Sequence, residues 1–381
     1  MKAPIYLDYQ ATTPIAPEVA AAMRPWLETN FANPHSPHRL GREAAAAIEV
    51  AREQVLEALA GTEAGHGPQG ALYFTSGATE AINWALKGVA ARLPPERRRI
   101  VTLATEHAAV LDTVDWLGTQ GFETEILKVG VDGLALDELL RRRIDDRTGI
   151  VAAMLVNNEI GVVQPVAEIA ALAHQRGALF LCDAVQGFGR VPLPLESCDL
   201  VALSAHKVHG PKGIGALWVR GGVEIDPLLH GGGQEGSLRS GTLSPALCVG
   251  FGEAARLLVE RREADRAHVE RLWSFALDLL PGWTLNGSAE ARYKGNVSVA
   301  RPGIDAARLI SEVRQVAFSA GSACASGSGR PSHVLAAVLW PERALRSAIR
   351  IGFGRYTTEA ELVEALTLIN AAANRQLSAA A

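Results

Sequence analysis

Ala178-Leu179-Phe180-Leu181-Cys182-Asp183-Ala184-Val185-Gln186 is followed a few residues later by Asp199-Leu200-Val201-Ala202-Leu203-Ser204-Ala205-His206-Lys207. Each stretch carries a short, unbroken apolar run, 178–182 and 200–203, and ends on polar residues. A continuous apolar run of this length suits a strand buried on both faces, as in a parallel sheet. Working outward, similar runs occur at 71–74, 100–104, 123–129, 150–156 and 214–219. Amphipathic helical patterns fill several gaps between them, at 78–91, 108–119, 134–143 and 166–176. Such alternation predicts an α/β fold with a mainly parallel sheet and right-handed crossovers. In such sheets ligands gather beyond the carboxyl ends of the strands. The loops after these runs are therefore where chemistry belongs.

Further on, 245–280 reads as one long helix, opened by Pro245 and closed by Pro281-Gly282. The texture then becomes a shorter mixture, with strands expected at 296–300 and 348–353 and helices at 305–314 and 331–338. A last helix starts at Thr358, whose partner Glu361 completes a capping box. This region is expected to form a smaller α+β domain.

The chain has 381 residues, 48% of them hydrophobic and 20% charged, with net charge −4. That length buries a core without staples. The balance of 37 basic against 41 acidic residues speaks against a nucleic-acid partner. No apolar run is long enough to span a bilayer, and the first residues carry no signal-peptide core, so a cytoplasmic, membrane-free protein is expected. The cysteines, at 182, 198, 248 and 324, form no CxxC pair and suggest no intrinsic metal site. Three lie in apolar surroundings and read as core. Cys324 differs, because positions 321–329 hold only Gly, Ser and Ala besides it. That composition favours a flexible linker, and a free cysteine there is more plausibly reactive than one in a core.

Three features suggest one cofactor. In Phe74-Thr75-Ser76-Gly77-Ala78-Thr79-Glu80 a strand gives way to a helix start, which either caps itself or cradles an anion. Asp183, at a strand end, is either a turn residue or the partner of a buried cation. Lys207, one of only six lysines, is either a surface residue or an amine nucleophile. A phosphate cradle, a strand-end carboxylate and a strand-end amine together point to pyridoxal phosphate.

Further motifs occur in order: Tyr6-Leu7-Asp8-Tyr9-Gln10-Ala11-Thr12-Thr13-Pro14, Thr105-Glu106-His107, Asn157-Asn158-Glu159-Ile160-Gly161, Gly210-Pro211-Lys212-Gly213, Arg239-Ser240-Gly241-Thr242 and Gly321-Ser322-Ala323-Cys324. With the three features above, the chain from about residue 5 to 375 resembles the cysteine desulfurases of the class V aminotransferase superfamily, pyridoxal-phosphate fold type I. Within them it is similar to the group with a long cysteine loop. The resemblance implies that Lys207 joins the cofactor covalently and Asp183 pairs with its pyridinium nitrogen. Gln186 and Asn158 would lie near its phenolic oxygen, and His107 would stack on the ring and move protons. Ala78, Thr79, Ser204 and His206 would hold the phosphate, with Thr242 reaching over from the neighbouring subunit of a homodimer. Asn33 and Arg350 would take the substrate carboxylate, Arg355 being the rival arginine.

The resemblance also implies a large cofactor domain over 15–255 and a small domain built from 1–14 and 256–381. It implies the conversion of L-cysteine to L-alanine with a persulfide left on Cys324, bound for an acceptor protein in iron–sulfur cluster assembly or tRNA thiolation. Cys324 would ligate a cluster only transiently, with a scaffold partner. Ala205 and His209 depart from the residues usual at their positions, and the acceptor stays open. The alternatives are a selenocysteine lyase or another class V enzyme, and a cofactor-less sulfur-relay protein. Neither alternative enzyme needs a reactive Cys324.

Overall fold

The computed structural model describes residues 3–61, 69–320, 332–338 and 342–380. A short strand, β1 (Ile5–Tyr6), precedes helices α1 (Pro17–Glu28) and α2 (Arg39–Ala60). The alternating region follows: β2 (Gly70–Thr75), α3 (Ala78–Ala90), β3 (Arg99–Leu103), α4 (Ala108–Thr119), β4 (Glu123–Leu127), α5 (Asp137–Arg143), β5 (Thr148–Met154) and α6 (Val166–Gln175). It ends with β6 (Leu179–Asp183), β7 (Leu200–Ser204) and β8 (Gly215–Arg220). Helix α7 (Pro245–Asp278) leads to β9 (Thr284–Leu285), β10 (Asn296–Ala300), α8 (Ala306–Glu312), β11 (Val316–Ala317), α9 (His333–Val338), β12 (Ala348–Gly352) and α10 (Glu359–Ala380).

The large sheet has the order β2-β8-β7-β6-β5-β3-β4, and β8 alone runs antiparallel to its neighbours. The reversal has a local cause. A parallel return needs a crossover of a dozen or more residues, and Ala205–Ile214 is too short for one. Strand residues alternate between two covered faces. Leu200 and Ala202 join α3 and α4 in one apolar cluster, whereas Val201 and Leu203 face the cluster that includes α2, α6 and the first part of α7. Covering on both faces explains why these strands read as unbroken apolar runs.

A third cluster joins Ile5 and Leu7 to the second half of α7, β10, β12 and α10. There β12-β10-β9 form an antiparallel sheet, and β1 pairs in parallel with β11, Ile5 opposite Val316. Residues Val334, Leu335 and Val338 of α9 pack into the large-sheet cluster. Helices α1 and α2 were not anticipated from the sequence; α2 is N-capped by His38, whose ring accepts from the Gly41 N–H. The helix expected from 134 begins only at Asp137, because Asp132, Gly133 and Leu134 form a turn closed on Gly130.

Candidate active site

All the large-sheet strands except β8 end at one edge, and the loops leaving that edge bring the predicted residues together. Asp183 is the last residue of β6, in register with Ala202 of β7, and Lys207 lies three residues past the end of β7. His107 N-caps α4 just beyond β3, with its Nδ1 accepting from the Ala109 N–H at 3.1 Å. Asn158 follows β5 in a turn tied by the Asn157 side chain, which accepts from the Glu159 and Ile160 N–H groups.

The Lys207 amine is half-buried and donates to the carbonyl oxygens of Gln10, at 2.6 Å, and Ala11, at 2.8 Å. Asp183 is buried, and its Oδ1 accepts from the Val185 N–H at 3.0 Å. Burial pushes its carboxyl above the usual range, opposed by that N–H and by the charges of His107 and Lys207. These same groups act on His107. Burial lowers its pKa first of all, Asp183 raises it, and Lys207 and His333 lower it further. Beneath them Glu106 is completely buried, its Oε1 accepting from the Met154 N–H at 2.9 Å. Desolvation raises that carboxyl well above an ordinary glutamate.

At the start of α3, Thr79 and Ser76 are exposed and Ala78 is partly so. Nothing lies within 4 Å of where a Cβ on Gly77 would stand, which leaves open space in front of the helix N-terminus. Glu80 accepts from the Ser76 N–H at 2.7 Å and pairs with Arg239 through bonds of 2.7 and 3.0 Å. His206 meets Thr12 Oγ1 at 3.1 Å and is neutral, its pKa lowered to about 4 by burial and by nearby Lys207, Lys212 and Arg190. Ser204, buried, closes β7.

The two residues expected to hold a carboxylate each have partners within the chain. Arg350 is 1% exposed, donates to the Asn158 carbonyl at 2.9 Å and pairs with Asp8 at 2.8 Å. Its rival Arg355 is instead engaged by Asp265 at 2.7 Å, away from Asn158. Asn33 is exposed, and its Oδ1 accepts from the His35 N–H of its own loop. Thr242 is also exposed, three residues beyond the Arg239 that pairs with Glu80. Cys324 lies outside the described residues.

The geometry fits pyridoxal phosphate. Asn158 Oδ1 and Arg350 Nε are buried without a hydrogen-bond partner, and the two residues adjoin, Arg350 donating to the Asn158 carbonyl. Such orphans are uncommon in native structures and are expected where a ligand completes the set. Sequence reading missed the carbonyls of Gln10 and Ala11, which as main-chain groups leave no signature. It also missed Arg190 and His333, the latter with its ring Nε2 2.8 Å from the Glu106 carbonyl.

The sequence model of the family described as Aminotransferase class-V matches residues 5–366. The chain belongs to the aminotransferase class-V family. A protein of Rickettsia bellii named cysteine desulfurase IscS is 42% identical over 381 residues, covering 98% of this chain and 92% of that protein. Its counterpart in Rickettsia massiliae is 43% identical over 375 residues, covering 96% and 90%. Among solved structures, one titled NifS-like protein superposes with TM-score 0.88 at 34% identity, covering 97% of this chain and 98% of that one. Another, titled SspA in complex with cysteine, gives 0.80 at 33% identity, covering 93% and 99%. Within the class-V family the chain therefore sits with the cysteine desulfurases, pyridoxal-phosphate-dependent enzymes of sulfur mobilisation. The expected fold type holds as well.

Proposed function

We propose that this class-V enzyme takes the sulfur from L-cysteine, releasing L-alanine and leaving a persulfide on Cys324. The observation that carries the reading is the half-buried Lys207 amine at the end of β7, within electrostatic reach of buried Asp183 and His107. Pyridoxal phosphate, when bound, supplies an aldehyde for primary amines and a ring that draws electrons from the substrate Cα. The ring would be held by Asp183 at its nitrogen, His107 on its face and Gln186 and Asn158 near its phenolic oxygen. Ala78, Thr79, Ser204 and His206 would take the phosphate at the α3 N-terminus.

Arg350 offers the substrate carboxylate its unpartnered Nε, with Asn33 as the second contact. Lys207, whose amine would hold the cofactor, would take the proton from the substrate Cα and give it back there. His107, kept neutral by burial, accepts and passes the substrate thiol proton. The Cys324 thiolate attacks the substrate sulfur. The Cβ–S bond breaks, its electron pair and a proton stay on Cβ as the alanine methyl group, and the new S–S bond holds the sulfur at the oxidised level. Chain geometry supports delivery. Ala320 follows Ser319, which donates to Asp8 Oδ1 at 3.2 Å beside Arg350. From Ala320 to Cys324 is four residues, within roughly 14 Å of extended chain.

The reading extends to a homodimer in which exposed Thr242 completes the neighbouring phosphate site. It extends also to a cytoplasmic acceptor protein that passes sulfur to iron–sulfur clusters or thiolated tRNA. It divides the chain into a cofactor domain over 15–255 and a small domain of 1–14 and 256–381, with the changeover inside α7, whose first part joins the large-sheet cluster and whose second part joins the other. Among the described residues no helix is long and apolar enough to cross a membrane, and no group of three or more metal-binding side chains forms.

The test is borohydride reduction of the holoenzyme followed by peptide mapping, together with alanine and sulfide assays. Label on Lys207, equal alanine and sulfide with a thiol reductant, and loss of turnover in Cys324→Ser with the visible band retained would support the reading. Label elsewhere, or full turnover in Cys324→Ser, would overturn it.

A further inference from the structure

Arg190 has no part in the scheme above, yet it touches two of that scheme's residues. It follows Gln186 by four positions in the turn after β6, and the two side chains meet there. Arg190 Nη1 donates to Gln186 Oε1 at 2.6 Å, and Nη2 donates to the Lys207 carbonyl. Gln186 Nε2 donates to the Gln10 carbonyl at 2.8 Å, the same oxygen that receives the Lys207 amine. The four residues thus close a ring of hydrogen bonds, with the guanidinium 5.2 Å from the centre of the Tyr293 ring.

Donor–acceptor logic fixes the sense of this ring. A guanidinium can only donate, so the Gln186 oxygen must face it and the amide NH2 must face the other way. A planar fork also holds two acceptors in one fixed geometry, which a flexible lysine ammonium does not. The bonds from Arg190 go to the Gln186 oxygen and the Lys207 main chain. They leave the Lys207 amine out, so they persist when that amine joins a cofactor.

We infer that Arg190 is a positioning residue that locks Gln186 as a hydrogen-bond donor toward the cofactor and braces the main chain of Lys207. The inference rests on the proposed roles of Gln186 and Lys207. Its chemical consequence is definite. A locked donor and a nearby cation both favour the ionised phenolic oxygen of pyridoxal phosphate and disfavour an added proton at the joined nitrogen. Burial lowers the Arg190 pKa, so this cation is costly to keep for structure alone.

The experiment titrates the visible band of the holoenzyme against pH and measures pyridoxal phosphate affinity of the apoenzyme by tryptophan quenching, in wild type, Arg190→Leu, Arg190→Lys and Gln186→Ala. Arg190→Leu is expected to raise the band's midpoint by about one pH unit, a tenfold change in proton affinity, and to weaken cofactor binding about tenfold. Arg190→Lys restores charge without the fork and should recover only part of both. Gln186→Ala should move the band in the same direction. A wild-type midpoint in Arg190→Leu while Gln186→Ala shifts it would overturn the inference alone. Unshifted bands in both variants would overturn the Gln186 role with it. Should Arg190→Leu fail to fold, Arg190→Lys decides: full wild-type behaviour there sinks the inference, and an intermediate midpoint sustains it.

Discussion

His209 illustrates what a single side chain carries in this protein. It has a left-handed φ of 66°, its Nδ1 lies 2.9 Å from the Pro14 carbonyl, and its ring stands edge-on to Tyr356 at 5.1 Å. Burial, with help from Arg355, Arg190 and Arg261, lowers its pKa to about 3. Because the folded pKa lies below the unfolded one, near 6.5, the unfolded chain binds the proton more readily. The stability held by neutral His209 is complete above pH 6.5 and drains away as pH falls from 6.5 toward 3, by an amount on the order of 5 kcal/mol at the acid limit. His206, lowered to about 4, adds to the same slope. Asn tolerates the left-handed backbone and does not titrate. We therefore expect His209→Asn to melt a few degrees lower at pH 8, from lost ring contacts, yet to lose less stability than wild type between pH 6.5 and 4. Melting temperature against pH checks this, and parallel curves for the two proteins would contradict it. At this scale the sequence was legible wherever chemistry is unusual in its setting. A lysine or an aspartate at the end of an apolar run is conspicuous, as Lys207 and Asp183 were. A histidine buried through tertiary contacts with Tyr356 and Pro14 is not, since nothing near it in sequence announces them.

At the scale of elements, the site depends on how closely strands approach helix starts. A Cβ on Gly215 of β8 would stand 2.5 Å from the Leu203 carbonyl oxygen and 2.7 Å from the main-chain carbon of Gly77. Gly215 therefore lets β8 press on the turn that opens α3. Gly215→Ala should push that turn away, weakening pyridoxal phosphate affinity roughly tenfold and costing about 2 kcal/mol of stability. Apoenzyme titration with cofactor and chemical denaturation measure the two effects. A distant cap makes the contrast. Thr358 Oγ1 accepts from the Glu361 N–H at 3.2 Å, and Glu361 Oε2 accepts from the Thr358 N–H at 2.9 Å. Thr358→Ala should cost about 1 kcal/mol and leave cofactor affinity and turnover unchanged; a drop in affinity would show that α10 is coupled to the site. The capping box and the parallel-sheet strands were readable because their signals are local. The seating of β8 between β7 and β2 was not, for β2 lies far from it in sequence.

For the molecule as a whole, the N-terminal segment stitches the two apolar regions across the site. Leu7 belongs to the cluster of β10, β12 and α10, while Gln10 Oε1 crowds Gly352 and Gln10 Nε2 donates to the Gly295 carbonyl at 2.9 Å. The carbonyls of Gln10 and Ala11 meanwhile receive the Lys207 amine. Asp8 is the charged link in this seam, pairing with Arg350 at 2.8 Å and accepting from Ser319 at 3.2 Å. Removing one partner of a buried pair strands the other charge, at a cost of about 3–5 kcal/mol. Asp8→Ala should therefore destabilise the protein by an amount of that order, and the strandedness should be correctable. L-Alanine, the proposed product, brings a carboxylate to the vacated guanidinium, and a ligand that binds only the folded state stabilises it by mass action. Millimolar alanine should raise the melting temperature of Asp8→Ala more than that of wild type. The double variant Asp8→Ala with Arg350→Ala, which has no stranded cation, should show no such gain. If alanine stabilises the double variant as well as the single one, the carboxylate site is not at Arg350, and the seam is structural only.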